Sequence, residues 1–287
     1  HVRGMAINIV TKDNAGTNQL SGQAIGGLKQ NKYAKEFGDF NISLQRGKFG
    51  LDAQYKYVDG YSYGENKHIV NHPLGDKRVK YDDETEQKSF GITHSYRLGM
   101  NYAFSKNHRL DIAYTGKWDK TCSNSHTTGT SISGMHHDSH EYLHNVDVNY
   151  SLPFGLTLNG SYTHYRTPQQ QILGGTMIVD ENTATTERNL TSGSKQTINK
   201  WMFTADQTHS LAHGWGLSYG VKGQFASNKS YQTTVNKDGS VLPDGTSSVD
   251  INERIWNLYA GFSKQISKAV SVEASVAAEQ YHSPIWD

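Results

Sequence analysis

Four histidines in one short stretch are the residues of this sequence best suited to chemistry. The segment GMHHDSHEYLHNVDV contains His136, His137, His140 and His144 together with the nearby carboxylates of Asp138 and Glu141. Imidazole and carboxylate groups are good ligands for zinc or copper. The spacing is not H-E-x-x-H, and in an extended strand His140 and His144 would lie about 13 Å apart, too far for one ion. We therefore expect a polar loop that enters a strand and assign no metal ligand; a loop contact of the His136, His137 and His140 cluster with metal or haem is the alternative.

Two further groups were considered as sites. The acidic run YDDETE at residues 81–86 could offer oxygen ligands to Ca²⁺, but it lacks the D-x-D-x-D-G spacing, so we expect a solvated acidic loop. Cys122 is the single cysteine of the sequence, cannot form an internal disulfide, and is interpreted as a loop thiol. We find no phosphate loop, nucleophile elbow or catalytic carboxylate pair, and predict no catalytic residue, no cofactor and no enzyme activity.

Composition limits the functional classes. Lys and Arg number 28 against 27 Asp and Glu, so the net charge of +1 argues against nucleic acid as a partner. Only 35% of the residues are apolar, which is little for a large solid core but enough to cover one face of a sheet. No apolar run approaches the ~20 residues of a membrane-spanning helix. No basic-then-apolar leader precedes Ile7, so we expect any secretion signal to lie outside this chain.

Period-two alternation of apolar and polar residues dominates the chain and predicts an all-β fold. In FNISLQ the apolar residues Phe40, Ile42 and Leu44 alternate with polar ones, and a similar pattern recurs from Phe49 onward. We count about eleven such strands. Many are longer than usual for globular sheets and long enough for a tilted strand to cross a bilayer, which takes about 9 to 11 residues.

The connections between these strands alternate between short and long. The short ones are predicted at residues 45–48, 105–109, 153–155, 209–214 and 263–269, and the long polar ones at 63–87, 119–142, 167–196 and 227–253. Within the last of these, residues 236–239 and 243–245 carry turn signals. Short periplasmic turns and long extracellular loops are typical of outer-membrane barrels. We therefore predict an antiparallel transmembrane β-barrel, present here in part.

Side-chain placement supports this prediction at both surfaces of the wall. Aromatic residues near the two ends of the strands predict two interfacial girdles. The girdle residues are Phe49, Phe104, Phe154, Trp215 and Phe262 at the short turns, and Tyr61, Tyr63, Trp118 and Tyr165 at the long connections. Polar residues that alternate with the apolar ones are expected to line the lumen or to contact a plug: Asp52, Gln54, Lys56, Arg97, Asn101, Asp111 and Lys117.

Several stretches resemble TonB-dependent outer-membrane receptors. VRGMAINIVTKDN is similar to the last strand of the plug domain of that family. FNISLQRGKFGLDAQYKYVDGYS, HEYLHNVDVNYSLPFGLTLNGSYTHY and AVSVEASVAAEQY resemble the barrel of its Bacteroidetes-type members. The resemblance implies that residues 1–16 end a plug domain. Residues 17–287 would then form the N-terminal half of a barrel of roughly 22 strands with a plugged lumen.

The same resemblance implies a function and a location. The parent receptor would lie in the outer membrane among its lipids, bind a scarce nutrient at its extracellular loops, and import it when the TonB complex acts on the N-terminal region. The ligand class stays open among siderophore, haem, cobalamin, glycan and peptide. Two alternatives from the residues also stay open: a structural or adhesive outer-membrane barrel without transport, and a soluble β-protein that binds carbohydrate.

Overall fold

Strands make up most of the chain in its computed structural model, which describes residues 18–30, 32–74, 77–180, 183–267, 270–283 and 285–286. Nowhere in these ranges is a helix long and apolar enough to cross a membrane. The strands are β1 (Asn18–Gln30), β2 (Ala34–Arg46), β3 (Phe49–Leu74), β4 (Lys77–Ser105), β5 (His108–Gly129), β6 (Ser131–Ser151), β7 (Leu156–Asp180), β8 (Thr183–Ser210), β9 (Trp215–Asn236), β10 (Val241–Gln265), β11 (Ser271–His282) and β12 (Ile285–Trp286).

The strands form one antiparallel sheet in chain order. Each of β1 to β11 pairs with its neighbours in sequence, and the two-residue β12 pairs with β10. Within the described residues no ladder joins β1 to β11, so the sheet is open at both of these edges. The prediction of an all-β fold with about eleven antiparallel strands is confirmed.

Tight turns join the strands at one end of the sheet. They occupy residues 47–48, 106–107, 152–155, 211–214 and 266–270, of which 268–269 are outside the described residues. Gly47 and Gly155 adopt positive φ angles of 57° and 87°, a conformation that costs glycine little. The Gly155 amide donates to the Leu152 carbonyl oxygen at 3.1 Å and closes its turn. All five short connections lie where the sequence predicts them.

The prediction of long polar loops at the other end is wrong. The segments at 63–87, 119–142, 167–196 and 227–253 are β-hairpins that continue the strands. The β3–β4 ladder, for example, runs in constant register from Phe49 opposite Tyr102 to Leu74 opposite Lys77. These hairpins are mostly polar and carry only scattered apolar residues, so they lack the alternation that identifies a half-buried strand, while their backbones still pair.

Two turn signals in the last hairpin have different outcomes. At residues 236–239 the prediction is confirmed, since the Gly239 amide donates to the Asn236 carbonyl oxygen at 3.0 Å. Residues 243–245 instead lie inside β10, where the register shifts between Val241 and Thr246 and Asp244 has a φ of 58°. The extra residues are accommodated as a bulge, because the flanking strands keep pairing on either side of it.

The two faces of the sheet have opposite character. Register places Ala53, Leu98 and Tyr114 side by side on one face, and Gln54, Arg97 and Thr115 on the other. Among the described residues no apolar side chain is buried; large apolar side chains such as Leu98, 53% exposed, stand on the outer face. The sheet therefore has its apolar surface on the outside, as a wall in lipid requires.

Aromatic rings border this apolar surface above and below. Near the short turns the Tyr102 and Phe104 ring centroids are 4.8 Å apart, and toward the hairpins His94 lies 5.1 Å from Trp118. The stretch from His94 to Phe104 matches the ~9 to 11 residues of a tilted membrane-spanning strand. We call the outer surface between the two rows the band. Tyr61 and Tyr63 lie beyond the upper row. The prediction for Tyr165 is wrong, because its register partners Leu143 and Ile198 place it on the inner face.

Candidate functional site

The polar inner face of the wall is the candidate functional site. The seven residues predicted to line a lumen all lie on it: Asp52, Gln54, Lys56, Arg97, Asn101, Asp111 and Lys117. They share one face because each occupies the alternate position to an outward apolar residue in β3, β4 or β5. Because side chains alternate along a strand, the outward apolar residues of the band determine which neighbouring side chains face the interior.

A cavity of about 380 Å³ opens on this face beside the band. Side chains from β3 to β8 line it, which requires the sheet to curl toward its polar side, since a flat sheet would spread these strands over roughly 24 Å. The lining includes Asp52, Arg97, Asp111, Asn149, Asn159 and Thr204. The concave surface of the wall is therefore the polar one.

Three ion pairs cross or follow the strands of this surface. Arg109 donates to Asp111, with Nη2 2.7 Å from the carboxylate, and Lys117 Nζ lies 2.9 Å from Glu141 Oε1. Arg97 Nη1 is 3.8 Å from Asp52 Oδ2. A Cβ at Gly99 would stand 2.3 Å from the Asp52 carboxylate, so the glycine leaves the space that this side chain occupies.

A row of amides and hydroxyls continues the polar surface across three strands. The Asn149 amide donates to Asn159 Oδ1 at 2.6 Å, and the Asn159 amide donates to Thr204 Oγ1 at 2.8 Å. Such groups orient one another and present fixed donors and acceptors to whatever occupies the cavity. The surface can hold a polar solute or a polar protein segment by hydrogen bonds.

Some polar groups on the inner face have no partner in the wall. Asp39 Oδ1 is buried and accepts no hydrogen bond. Lys200 and Lys222 lie on the same face, at positions opposite Thr163 and Thr204, and within the described ranges neither makes an ion pair. Unpaired charge beside a low-dielectric wall is costly unless water or another chain solvates it. These groups face the interior, from which such partners would come.

The histidine cluster is distributed over both faces of β6. His136, His140 and His144 point to the outer face and His137 to the inner face, because the whole segment is strand and the predicted loop is absent from it. His144 Nδ1 is hydrogen-bonded to the Tyr114 hydroxyl at 2.7 Å. His140 stacks beside Tyr142 with centroids 6.4 Å apart. The four imidazoles therefore do not converge on one point.

One group of metal-type ligands is nevertheless brought together, and the sequence reasoning missed it. Cys122 lies in strand β5, not in a loop, directly opposite Asp138. Its Sγ and the ligand atoms of His136 and Asp138 all lie within 4.8 Å of one another; no other such group occurs in the part of the chain that the structure describes. A tight turn predicted at Thr130 would have revealed this pairing, since that turn sets the register.

The group is electrostatically coupled and lies beyond the band. Partial burial and the neighbouring Asp138 carboxylate raise the pKa of the Cys122 thiol. Burial opposes ionisation of Asp138, but the hydrogen bond and charge of His136 outweigh it and lower the pKa of that carboxyl. The thiol is therefore held protonated while a carboxylate stands beside it.

The acidic run at residues 81–86 is part of strand β4, not a solvated loop. Asp82 lies 3.2 Å from Lys80 Nζ and 3.6 Å from Lys67 Nζ, and the hydrogen bond from Lys80, with the charge of Lys67, lowers its pKa. The Tyr63 hydroxyl donates to Glu65 and to Glu86, and these bonds raise the pKa of the phenol. Carboxylates of the run are therefore engaged with lysine and tyrosine.

A second, smaller cavity of about 240 Å³ lies where β1 to β4 leave the band. Lys88 Nζ is 4.6 Å from the ring centroids of both Tyr33 and Tyr61, and Lys32 Nζ is 3.2 Å from that of Tyr63. Aromatic faces and ammonium groups together suit sugars or anionic groups. We refer to these five residues as the rim cluster.

One family model matches part of the chain. Residues 154–285 match the family model described as outer membrane protein beta-barrel family. The chain is an all-β outer-membrane barrel wall, and it lies in the outer membrane. None of the curated proteins compared with it matches.

Solved outer-membrane barrels resemble the chain at low identity. The ferric yersiniabactin uptake receptor FyuA from Yersinia pestis aligns with TM-score 0.44 and 12% identity, over 91% of this chain and 50% of the receptor. The siderophore receptor PiuA from Acinetobacter baumannii gives 0.45 and 11%, over 92% and 45%. The outer membrane protease OmpT from Escherichia coli gives 0.27 and 9%, over 85% and 93%. The chain thus spans about half the length of the two receptors.

Proposed function

We propose that this wall belongs to a TonB-dependent receptor of the Bacteroidetes type that imports a scarce nutrient and is not an enzyme. Residues 17–287 would be the N-terminal half of its barrel. Residues 1–16, which lie outside the described residues together with residue 17, would end its plug. The nutrient would be a siderophore, haem, cobalamin, a glycan or a peptide, and the TonB complex would act on the plug.

The observation that carries the proposal is the set of inner-face groups without partners. Asp39 Oδ1, Lys200 and Lys222 lie on a concave polar wall where three other basic side chains form ion pairs with carboxylates. A plug and its surrounding water would supply the missing partners, as a lumen filled by a folded domain does. An eleven-strand sheet with two open edges also suits a wider barrel better than a small closed one.

The rim cluster supports capture of a ligand before import. It lies beyond the band, where lysines and tyrosines face solvent and not lipid. A nutrient with hydroxyl, carboxylate or phosphate groups would bind there first, at the outer side of the rim.

Import is tested by growth of the source bacterium. Deletion of the gene should abolish growth on one of five nutrients supplied singly: a ferric siderophore, haem, cobalamin, a glycan mixture or peptides. Complementation with the intact gene should restore growth, and the double variant Lys200→Glu, Lys222→Glu should restore it poorly. Lys237→Glu, in the turn of the β9–β10 hairpin, is the matched control and should complement fully.

Insertion must be measured alongside growth, with an antibody against the hairpins on intact cells. Unchanged growth of the deletion strain on all five nutrients would overturn the proposal. A structural or adhesive barrel would then be the better account. The soluble carbohydrate-binding alternative has no support, because it needs packed apolar rows and the described residues bury none.

A further inference from the structure

Three metal-type ligands converge on the outer face of the β5–β6 hairpin. Cys122 stands opposite Asp138, and His136 stands opposite Asn124 in the next outward row. The Cys122 Sγ, one imidazole nitrogen of His136 and one carboxylate oxygen of Asp138 all lie within 4.8 Å of one another. Cys122 lies four residues beyond Trp118 in β5, about 13 Å along the strand, and the three ligands are therefore outside the band.

The hydrogen bonds of His136 are compatible with a cation beside it. Its Nδ1 lies 2.7 Å from Asn124 Oδ1, and its Nε2 lies 3.2 Å from Asp138 Oδ2. Both partners are acceptors, whereas a neutral imidazole has a single N–H. With Nδ1–H donated to Asn124, the Nε2 lone pair faces a carboxylate. A metal ion at Nε2 would satisfy both groups, as would a second proton on the ring or a rotated Asn124 amide.

The donor set selects the kind of metal ion. A thiolate, an imidazole and a carboxylate match the ligands of Zn²⁺, whose bonds measure about 2.3 Å to sulfur and about 2.0–2.2 Å to nitrogen and oxygen. Ligands of one tetrahedral ion are therefore roughly 3.3–3.8 Å apart, so the three atoms, which lie within 4.8 Å of one another, would have to approach by no more than about 1.5 Å. Calcium and magnesium prefer oxygen alone.

We propose that Cys122, His136 and Asp138 bind a zinc ion with a fourth position open to water. On binding, the thiol proton leaves to solvent, because the thiolate is the ligand. The ion would cross-link β5 to β6 outside the lipid, and Asn124 would orient His136 as a positioning residue. His137 is excluded by its inner-face position. This site is independent of the import function proposed above.

Cobalt is the probe for this site, because a Co²⁺–thiolate bond gives a charge-transfer absorption band and Cys122 is the single cysteine of the sequence. The full-length protein, purified from outer membranes in detergent, should show the band with Co²⁺ and lose it when Zn²⁺ is added. Cys122→Ser should abolish the band, and Asp138→Asn and His136→Gln should weaken binding. Asn124→Ala should weaken it about 10-fold.

The matched control is His137→Gln, one residue from His136 but on the opposite face, which should bind Co²⁺ as the wild type does. Amide exchange provides a readout that does not depend on colour: Zn²⁺ should slow exchange in the β5–β6 hairpin of the wild type and not of Cys122→Ser. Absence of a thiolate band, or a band unaffected by both His136→Gln and Asp138→Asn, would overturn the proposal.

Discussion

The band and the hairpins beyond it belong to the same strands but are stabilised differently. In the band, Leu98 faces outward between the inward positions Arg97 and Gly99, and lipid provides the apolar surroundings. In the β3–β4 hairpin the ladder continues without interruption, while side chains such as Lys67 and Asp82 pair across the strands in water.

The difference teaches that backbone pairing alone does not decide how a strand tolerates substitution. Both regions satisfy their N–H and C=O groups through the ladder. The band additionally depends on its largely apolar outer surface, whereas the hairpins depend on polar contacts such as the 2.8 Å hydrogen bond between Thr85 and Thr127. Charge, volume and pH should therefore affect the two regions unequally.

A charge on the outer face gives the largest expected contrast. Leu98→Arg, in the middle of the band, should lower the free energy of unfolding by about 2–4 kcal/mol, because hydrocarbon excludes the guanidinium. Ile69→Arg, on the same face of the hairpin and 55% exposed, should change it by no more than about 0.5 kcal/mol. Urea unfolding of the protein in lipid bilayers measures both. Equal losses would show that the hairpin also lies in lipid.

Added volume gives the next largest effect. A Cβ at Gly116 would lie 2.2 Å from the Tyr96 ring, so Gly116→Val should displace the ring from the band and cost about 1–3 kcal/mol. Gly64, in the β3–β4 hairpin, has no atom within 4 Å of such a Cβ, and Gly64→Val should cost nothing measurable. The same bilayer unfolding assay compares the two variants. A neutral Gly116→Val would contradict the close packing.

Loss of one polar contact should loosen a hairpin by a smaller amount. The Asp83 carboxylate accepts bonds from the Ser131 amide and hydroxyl, both at 2.8 Å, and ties β4 to the start of β6. Asp83→Ala should therefore destabilise this hairpin end by about 1 kcal/mol, seen as faster amide exchange at Ser131. Glu84→Ala, at an exposed position without a side-chain partner, should leave exchange unchanged. Similar exchange in both variants would contradict the role of Asp83.

Acid should produce the smallest contrast. The pKa of Asp82 is lowered in the folded chain by Lys80 and Lys67, so its stabilisation is complete above the ordinary carboxyl value of about 3.9 and is lost as pH falls through the lowered value. Amide exchange in the β3–β4 hairpin should therefore accelerate below about pH 4 beyond the intrinsic trend. Asp82→Asn should remove that acceleration. The effect should shrink in high salt because the pair is exposed.

The sequence predicts the structure of the band better than that of the hairpins. Alternation around Leu98 predicts a strand, its outward face and the lumen-facing Arg97, because lipid and water impose opposite residue types on neighbouring positions. In the hairpins, the neighbouring residues Glu65 and Asn66 face water on opposite sides of the sheet, and nothing in their pattern distinguishes a paired strand from a loop. The hairpins were thus predicted as loops.

The residues of the candidate site also differ in how well the sequence predicts them. Lumen-lining residues were predicted because each follows from its own strand. The group of Cys122, His136 and Asp138 was not, since it depends on the register between two strands, which the one-residue connection at Thr130 fixes. Missing that turn left Cys122 in a loop and separated it from ligands that lie opposite it.

The unbroken β3–β4 ladder gives the wall a mechanical property. Its 26 residues span up to about 85 Å at the usual rise, and no register shift interrupts the pairing. A tilt of about 5° in the membrane would swing the far end of such a lever arm by roughly 7 Å. A small change in strand tilt would therefore give a large displacement of the outer end of the β3–β4 hairpin. A distance measurement from a label on this hairpin would record that displacement.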